Sequence, residues 1–316
     1  MPLVLDTNIA RDIGAGRLDG ATFDLVRKAG ISIHFSDTAG AELAVALLEG
    51  RFFWDQWIRA KSILIDILDA REPILIGGGQ GLVRAGMSPK RAPSRMSPIV
   101  ETAEVYQAGW LILVGAESLD QLQAMEVVPP GATAAYQFGA VSLAMAQGKA
   151  EWIQDFQDFE REILAAVPDL PSRLPARGDS ADALEMFMNV LREGIGKLCP
   201  GLDPRASVRM DAFLRVHALL RLRYLRRKDK YNPTKDANDA LDHTLLRYLA
   251  QPAAICTRER GIAADVEATG SWQRKWIVTP EDLRRDEVVA GLSDMRWPSE
   301  PPNRASNLTG ADAPAG

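Results

Sequence analysis

At both ends of this 316-residue chain, short apolar runs alternate with helical segments. This alternation constrains the fold more than any other feature of the sequence. Strands are predicted at PLVLD, ISIHFSD, PAAICT and KWIVTP, and helices at TFDLVRKAG, TAGAELAVALLEG and RERGIAADVEATG. A chain in which strands alternate with helices forms a parallel sheet with right-handed crossover connections. We therefore predict an α/β fold with a central parallel sheet.

The middle of the chain has a different character. From residue 51 to about residue 231, most segments carry apolar residues at the three- and four-residue spacing that is typical of helices. PILIGGG predicts either a short strand or a buried turn, and GMSPKRAPSRMSP and PDLPSRLPARGDS predict loops. We predict a discontinuous core at residues 1–50 and 232–290, with a mainly helical insertion at 51–231 that packs partly on it. The Pro- and Gly-rich residues 297–316 predict a disordered tail.

Composition bears on the ligands that this chain could bind and on the compartment in which we expect it. A formal net charge of −5 gives no overall positive field for nucleic acid, although a local basic strip can still hold phosphate. Cys199 and Cys256 match no metal-binding spacing, and His34, His217 and His243 are too scattered for a histidine-rich zinc site. Because the sequence also has no signal peptide and no apolar run of membrane-spanning length, we expect a cytoplasmic protein with no membrane partner.

Five acidic residues fall at related positions of the predicted fold. Asp6 ends the first strand, Glu42 lies early in the helix after the second strand, and Glu259 follows the strand PAAICT. Asp239 and Asp242 are three residues apart near the start of the preceding helix, so both project from one helix face. Because open α/β sheets place their ligands at the carboxyl ends of the strands, we expect these acids to converge at that edge.

Some of these acids also have a purely local interpretation. Asp6 precedes the start of a helix, where an Asp side chain caps free backbone N–H groups. Asp239 and Asp242 are equally well explained as solvated positions at a helix N-terminus, which favours acidic side chains. The local sequence leaves both interpretations open.

Four segments, in order along the chain, resemble the PIN domain, a family of metal-dependent nucleases found in bacterial toxins and RNA-processing factors. They are LVLDTN, FSDTAGAEL, NDALDHTLLRYLAQPAAICTRERGIAADVE and WIVTPEDL, and they cover roughly residues 1–50 and 232–285. The resemblance implies a PIN-like three-layer α/β fold and an endoribonuclease that hydrolyses phosphodiester bonds in RNA. It also suggests a toxin, defence or RNA-processing role, with an antitoxin or other protein partner and a homodimer.

The resemblance implies a role for each of the five acids. Asp6, Asp239 and Asp242 would bind Mg²⁺ or Mn²⁺ directly or through water, and Glu42 and Glu259 would complete the acidic ring as catalytic residues. Neighbouring carboxylates repel one another, and one of them would take up a proton if no cation offset the charge. A divalent ion held by a few carboxylates and several waters keeps open positions for phosphate oxygens.

Three further residues are expected to support this site. Asn8 and Thr257 would orient ligands or water by hydrogen bonds. His243 is expected to be a structural or supporting residue, because hard divalent ions prefer oxygen ligands.

A basic stretch lies directly before the acidic helix. RLRYLRRKDKYNPTK interleaves cations with Tyr224 and Tyr231, a pattern that suits phosphate contacts and stacking on unpaired bases. Such stretches are also common as solvated helix faces, and the sequence does not decide between the two. The residues predicted to contact RNA are Arg223, Arg226, Arg227, Lys228, Lys230 and Lys235, together with Arg91 in a second basic loop.

Two other functions stay open. A PIN-like fold without activity could serve as a protein- or RNA-interaction module, because Glu259 stands where the family more often has Asp and the middle region is long. A phosphatase with a nucleophilic aspartate in a DxD motif fits less well, since the chain reads DTN where a second acid would be needed.

Overall fold

A computed structural model of the protein describes residues 2–75, 77, 97–124, 126–127, 132–166, 168–169, 183–189, 206–226, 232, 239–251 and 253–295. Its strands are β1 (Pro2–Leu5), β2 (Ser32–Ser36), β3 (Ile74–Leu75), β4 (Glu126–Val127), β5 (Ala132–Thr133), β6 (Ala254–Cys256) and β7 (Ile277–Val278). Five of them form a central sheet in the order β3-β2-β1-β6-β7, and every neighbouring pair in it is parallel. The predicted α/β class with a parallel sheet is confirmed. The two remaining strands, β4 and β5, form a small antiparallel pair.

The helices of the first quarter of the chain begin and end at recognisable signals. They are α1 (Thr7–Gly14), α2 (Asp24–Lys28), α3 (Asp37–Leu48) and α4 (Trp54–Ile67). The hydroxyl of Ser36 caps α3 by accepting from the backbone N–H of Ala39 at 2.8 Å. Gly30 and Gly50 follow α2 and α3 with φ angles of 69° and 68°, which glycine adopts without strain. Both helix ends lie where the sequence predicts them.

Further helices make up most of the remaining described chain. They are α5 (Ser97–Gly115), α6 (Leu119–Ala124), α7 (Ala134–Ala166), α8 (Ala206–Arg209), α9 (Asp211–Arg226), α10 (Asp239–Leu249), α11 (Arg260–Ala268) and α12 (Asp286–Ser293). Residues 183–189 are also helical. None of the described helices is long and apolar enough to cross a membrane. The predicted tail at 297–316 lies outside the described residues.

The region predicted as an insertion shares the hydrophobic core of the sheet. The buried residues Trp57, Trp110, Phe156 and Val216 belong to the same apolar cluster as the residues of β1. The ring of Trp110 stacks on Phe35 of β2, with ring centroids 5.9 Å apart. Strand β3, which also falls in this region, pairs with β2 and so belongs to the central sheet. The boundaries of the insertion stay a prediction, but the sheet draws on this region as well as on the two chain ends.

The side chain of Gln107, on α5, covers the outer edge of β3. Its Nε2 donates to the carbonyl oxygen of Ile74 at 2.6 Å, and its Oε1 accepts from the backbone N–H of Ile74 at 3.3 Å. This amide therefore pairs with both backbone groups that Ile74 would present to another strand.

A buried hydrogen-bond network joins α10 to the carboxyl ends of β2 and β3. The hydroxyl of Tyr248 accepts from the backbone N–H of Asp37 at 2.9 Å and lies 2.9 Å from Asp37 Oδ1 and 2.8 Å from the carbonyl oxygen of Leu75. Asp37 Oδ2 accepts from the backbone N–H of Gly77 at 3.1 Å. A Cβ atom at Gly77 would overlap the ring of Tyr248, so the close approach of the backbone to that ring requires a glycine at this position.

Gln273 connects three elements from a fully buried position. Its Oε1 accepts from the backbone N–H of Ala212 at 2.8 Å, and its Nε2 donates to the carbonyl oxygens of Arg209 and Leu249 at 2.8 and 2.9 Å. These carbonyls stand at the end of α8 and the end of α10, where backbone groups lack partners within the helix. Gln273 thereby fixes the start of α9 next to the end of α10.

An aromatic cluster holds two histidines between α7, α9 and α10. His217 and His243 lie with their ring centroids 5.0 Å apart, and the rings of Trp152 and Phe213 are 5.2 and 4.3 Å from His243. His243 Nε2 donates to the carbonyl oxygen of Phe213 at 3.2 Å. Burial lowers the pKa of His243 to about 3, with a further contribution from the charge of Arg247. His243 is therefore neutral at physiological pH.

Candidate active site

Asp6 lies at the carboxyl end of β1, the middle strand of the sheet. Its Oδ1 accepts from the backbone N–H of Thr7 at 2.7 Å, which caps α1. Its Oδ2 accepts from Asn8 Nδ2 at 2.6 Å and from Thr257 Oγ1 at 2.7 Å. The capping interpretation of Asp6 is therefore correct for one oxygen, while the other oxygen takes part in contacts between β1 and β6.

Asn8 and Thr257 form a small network around this carboxylate. Asn8 Nδ2 also lies 3.1 Å from Thr257 Oγ1, and Asn8 Oδ1 accepts from the backbone N–H of Arg258 at 3.3 Å. Thr257 Oγ1 accepts in turn from the backbone N–H of Glu259 at 2.9 Å. The structure thus places both predicted supporting residues against Asp6, with their own hydrogen bonds holding them in orientation.

Glu42 reaches the same site from α3. Its Oε2 accepts from the hydroxyl of Thr7 at 2.6 Å, and Thr7 is only 4% exposed. Sequence reasoning did not single out Thr7 among the site residues. The available signal was a polar residue at the first helical position, directly after Asp6.

Two of the other predicted acids, Glu42 and Glu259, are close enough to Asp6 for their charges to act on it. The pKa of Asp6 is raised to about 6, mainly by burial and less by the negative charges of Glu42 and Glu259, while hydrogen bonds from Thr257 and Thr7 lower it. The side chain of Glu259 also caps α11 through the backbone N–H of Gly261 at 3.5 Å. Asp6, Glu42 and Glu259 therefore share one region of negative potential at the sheet edge.

The predicted site residues on α10 are Asp239, Asp242 and His243, and the structure describes them in less detail or in another environment. Asp239 is the first residue of this helix, and its side chain lies outside the described part of the chain. Asp242 is half-buried in the first turn, and α10 packs against β6. The neighbouring His243 points into the aromatic cluster, where it bonds to the carbonyl of Phe213. The contacts of His243 are those of a structural residue.

The chemistry of these donors fits a hard divalent cation. Within the described residues, Asp6 Oδ1 has accepted one hydrogen bond and keeps a second lone pair, and Glu42 Oε1 accepts none. The described side chains do not include a group of three His, Cys, Asp or Glu residues arranged to hold a metal ion. Mg²⁺ requires fewer, since it is commonly bound by one or two carboxylates and keeps several waters. In the described part of the chain, Asp6 and Glu42 each supply one such oxygen donor.

Three members of the predicted RNA-binding stretch are engaged within the fold. Arg221 is 4% exposed and pairs with Asp155. Arg223 Nη1 forms an ion pair with Asp265 Oδ1 at 2.7 Å. The hydroxyl of Tyr224 donates to Glu160 Oε2 at 2.9 Å, and its ring packs edge-on against Phe156. The other predicted contacts lie where the structure describes no side chain, namely Arg91, Arg226, Arg227, Lys228, Lys230 and Lys235.

Arg258 is a second residue of the site region that sequence reasoning missed. Its Nε lies 2.7 Å from Asp12 Oδ2, and the same guanidinium group pairs with Glu281. Asp12 is 5% exposed and also accepts from Arg17 Nε at 2.7 Å. These ion pairs hold the turn after β6 against α1, which keeps Thr257 beside Asp6. An arginine within the turn TRE was the available signal.

Comparisons of this chain with models of known protein families, with curated proteins and with solved structures find no match to any of them.

Proposed function

We propose that this protein is a metal-dependent endoribonuclease with a PIN-like core, which hydrolyses RNA phosphodiester bonds at the carboxyl edge of its sheet. The observation that carries the proposal is the position of Asp6 at the end of the middle strand, where burial, with smaller contributions from the charges of Glu42 and Glu259, raises its pKa to about 6. Strongly perturbed pKa values of clustered ionisable groups are concentrated at functional sites. A bound cation removes the repulsion and gives these carboxylates a function.

The topology also supports a PIN-like interpretation. All five central strands are parallel, and the chain ends supply β1, β2, β6 and β7 in the order that the four sequence segments imply. In such sheets ligands bind beyond the carboxyl ends of the strands. Asp6 and the turn at residues 257–259 lie at these ends.

The residues of the site divide into ligands and groups that orient them. Asp6 Oδ1 and Glu42 Oε1 would hold Mg²⁺ or Mn²⁺, with Asp239, Asp242 and Glu259 contributing directly or through water. A bound ion of this kind lowers the pKa of a water molecule and offsets charge on the attacked phosphate. Asn8 and Thr257 hold Asp6 Oδ2 by two hydrogen bonds, which fixes the rotation of the carboxylate and leaves Oδ1 for the ion. The predicted antitoxin and homodimer stay predictions.

The test compares cleavage of a labelled single-stranded RNA by wild-type protein and by Asp6→Asn in Mg²⁺ or Mn²⁺. We expect wild type to cut and Asp6→Asn to be inactive, because the amide lowers the negative charge that holds the ion. The matched control is Asp66→Asn, which removes an exposed aspartate paired with Arg27 on the surface. Equal cleavage by Asp6→Asn and wild type would show that the site is wrongly assigned.

A catalytically silent interaction module is the second candidate. The observation in its favour is Glu259, whose carboxylate caps its own helix at Gly261. Stabilisation by Mn²⁺ separates the two, since an ion at 100 times its dissociation constant adds about 2.7 kcal/mol to the free energy of unfolding. An unchanged melting temperature in millimolar Mn²⁺ would favour the silent module.

A further inference from the structure

Thr7 contacts both carboxylates of the candidate site. Its backbone N–H donates to Asp6 Oδ1 at 2.7 Å, and its hydroxyl donates to Glu42 Oε2 at 2.6 Å. Its side chain is almost fully buried, so water competes little for the hydroxyl. We propose that Thr7 is a positioning residue, which holds Glu42 beside Asp6 so that the pair can take a divalent cation; this inference rests on the proposed function.

The position of Thr7 in α1 explains why its hydroxyl can serve this purpose. Inside a helix, a threonine hydroxyl commonly bonds back to a carbonyl three or four residues earlier. Thr7 is the first residue of α1, so no preceding helical turn offers such a carbonyl. Its backbone N–H is likewise one of the donors that a helix start leaves without a partner. Both donors are therefore available, and each goes to a different carboxylate.

Glu42 needs such a contact to stay in the site. It is half-buried on α3, and its negative charge faces the charge of Asp6. A glutamate side chain has several rotatable bonds, and repulsion favours conformers that turn its carboxylate toward solvent. The short hydrogen bond from Thr7 opposes this rotation. It engages Oε2 only, so Glu42 Oε1 stays available to a cation, as does the second lone pair of Asp6 Oδ1.

The test measures Mn²⁺ binding to the full-length protein by titration calorimetry, without RNA. Thr7→Val keeps the branched shape and the backbone N–H but removes the hydroxyl, and we expect its Mn²⁺ affinity to fall about 10- to 100-fold. Thr7→Ser keeps a hydroxyl and should bind Mn²⁺ close to wild type. The matched control is Thr22→Val, since Thr22 is 1% exposed and its Oγ1 bonds to a different carboxylate, Asp19 Oδ1, at 3.1 Å. This control should keep wild-type affinity.

A double-mutant cycle with Glu42→Ala identifies the partner through which Thr7 acts. If Thr7 works by holding Glu42, Thr7→Val should have little further effect once Glu42 is gone. An equal loss in both backgrounds would overturn the proposal, and so would wild-type affinity in Thr7→Val. Should Thr7→Val not fold, the cycle is run with Thr7→Ala and Thr7→Ser, and Ser must restore what Ala loses. Failure of wild type to bind Mn²⁺ would instead overturn the metal site and the role of Thr7 together.

Discussion

Acidification should weaken the fold at the aromatic cluster that contains His243. Its pKa is about 3 in the folded protein, against 6.5 for the free side chain. Between these values the unfolded chain carries a proton that the folded chain does not, so the free energy of unfolding falls as the pH is lowered. Each pH unit within this window changes the free energy of unfolding by about 1.4 kcal/mol. Between about pH 7.5 and pH 5, only the part below the free pKa of His243 counts, so His243 contributes a loss of about 2 kcal/mol. Burial and the charge of Arg221 lower the pKa of His217 as well, which adds to the loss.

Asp6 acts in the opposite direction over the same range. Its pKa is raised from 3.8 to about 6, so below pH 6 the folded protein holds a proton that the unfolded chain releases. This stabilises the fold by about 1.4 kcal/mol at pH 5 relative to pH 7.5. In the wild-type protein the effect of Asp6 therefore offsets part of the effect of His243, and the free energy of unfolding changes less with pH than His243 alone would make it change. When the free energies of unfolding of wild type and His243→Gln are subtracted, the contribution of Asp6 cancels, because both proteins keep Asp6.

The assay is urea unfolding followed by tryptophan fluorescence at both pH values. The ring of Trp152 lies 5.2 Å from that of His243, so its emission reports on this cluster. A glutamine can still donate to the carbonyl of Phe213 but has no proton to gain. The stability of His243→Gln relative to wild type should rise by about 2 kcal/mol between pH 7.5 and pH 5. The same rise is expected in an Asp6→Asn background, because Asp6 and His243 share no hydrogen-bond partner among the described residues. A rise under about 0.5 kcal/mol would refute the assignment of His243 as a buried neutral side chain.

Three more predictions follow from contacts described above. Mn²⁺ affinity should fall about tenfold per pH unit below pH 6, because the ion has to displace a proton from Asp6; calorimetry across pH 5 to 7.5 measures this, and a flat profile would contradict it. Gly77→Ala should lower the free energy of unfolding by about 1–3 kcal/mol in thermal unfolding, because the added methyl group overlaps Tyr248. Gly109→Ala, measured in the same way, should raise it by about 0.5–1 kcal/mol, because its methyl group meets open space on α5. Gln273→Leu should lower the free energy of unfolding by about 3 kcal/mol in urea, since its hydrogen bonds to three backbone groups are lost and two of these bonds are buried. Unchanged stability would argue against that network.

The sheet was predictable because most of its strands are indicated by the local sequence pattern. PLVL is a short apolar run and SIHFS alternates polar with apolar residues, and both are followed by helix starts. The alternation of strands with helices allows few arrangements other than a parallel sheet. The convergence of Asp6, Glu42 and Glu259 followed from the same rule, because each stands shortly after a strand. The two-residue strand β3 was harder to predict, since Ile74 and Leu75 carry too short an apolar run to distinguish a strand from a buried turn.

Contacts that depend on distant side chains were not predictable. Arg223 looks like a phosphate ligand in the sequence, but its partner Asp265 is 42 residues away on α11. Thr7 looks like an ordinary helix start, and only the position of α3 reveals that its hydroxyl meets Glu42. In both cases the sequence gives the chemistry of one partner, while the tertiary fold decides which group it meets.

The amide of Gln107 has a consequence for how copies of this protein meet. By satisfying the N–H and carbonyl groups of Ile74, it occupies the bonding positions that an incoming peptide would need to lengthen the sheet on that side. Intermolecular β-pairing through β3, a common route to polymerisation, would first have to pull this side chain away. A single glutamine on α5 thus opposes self-association through the edge of the sheet at β3.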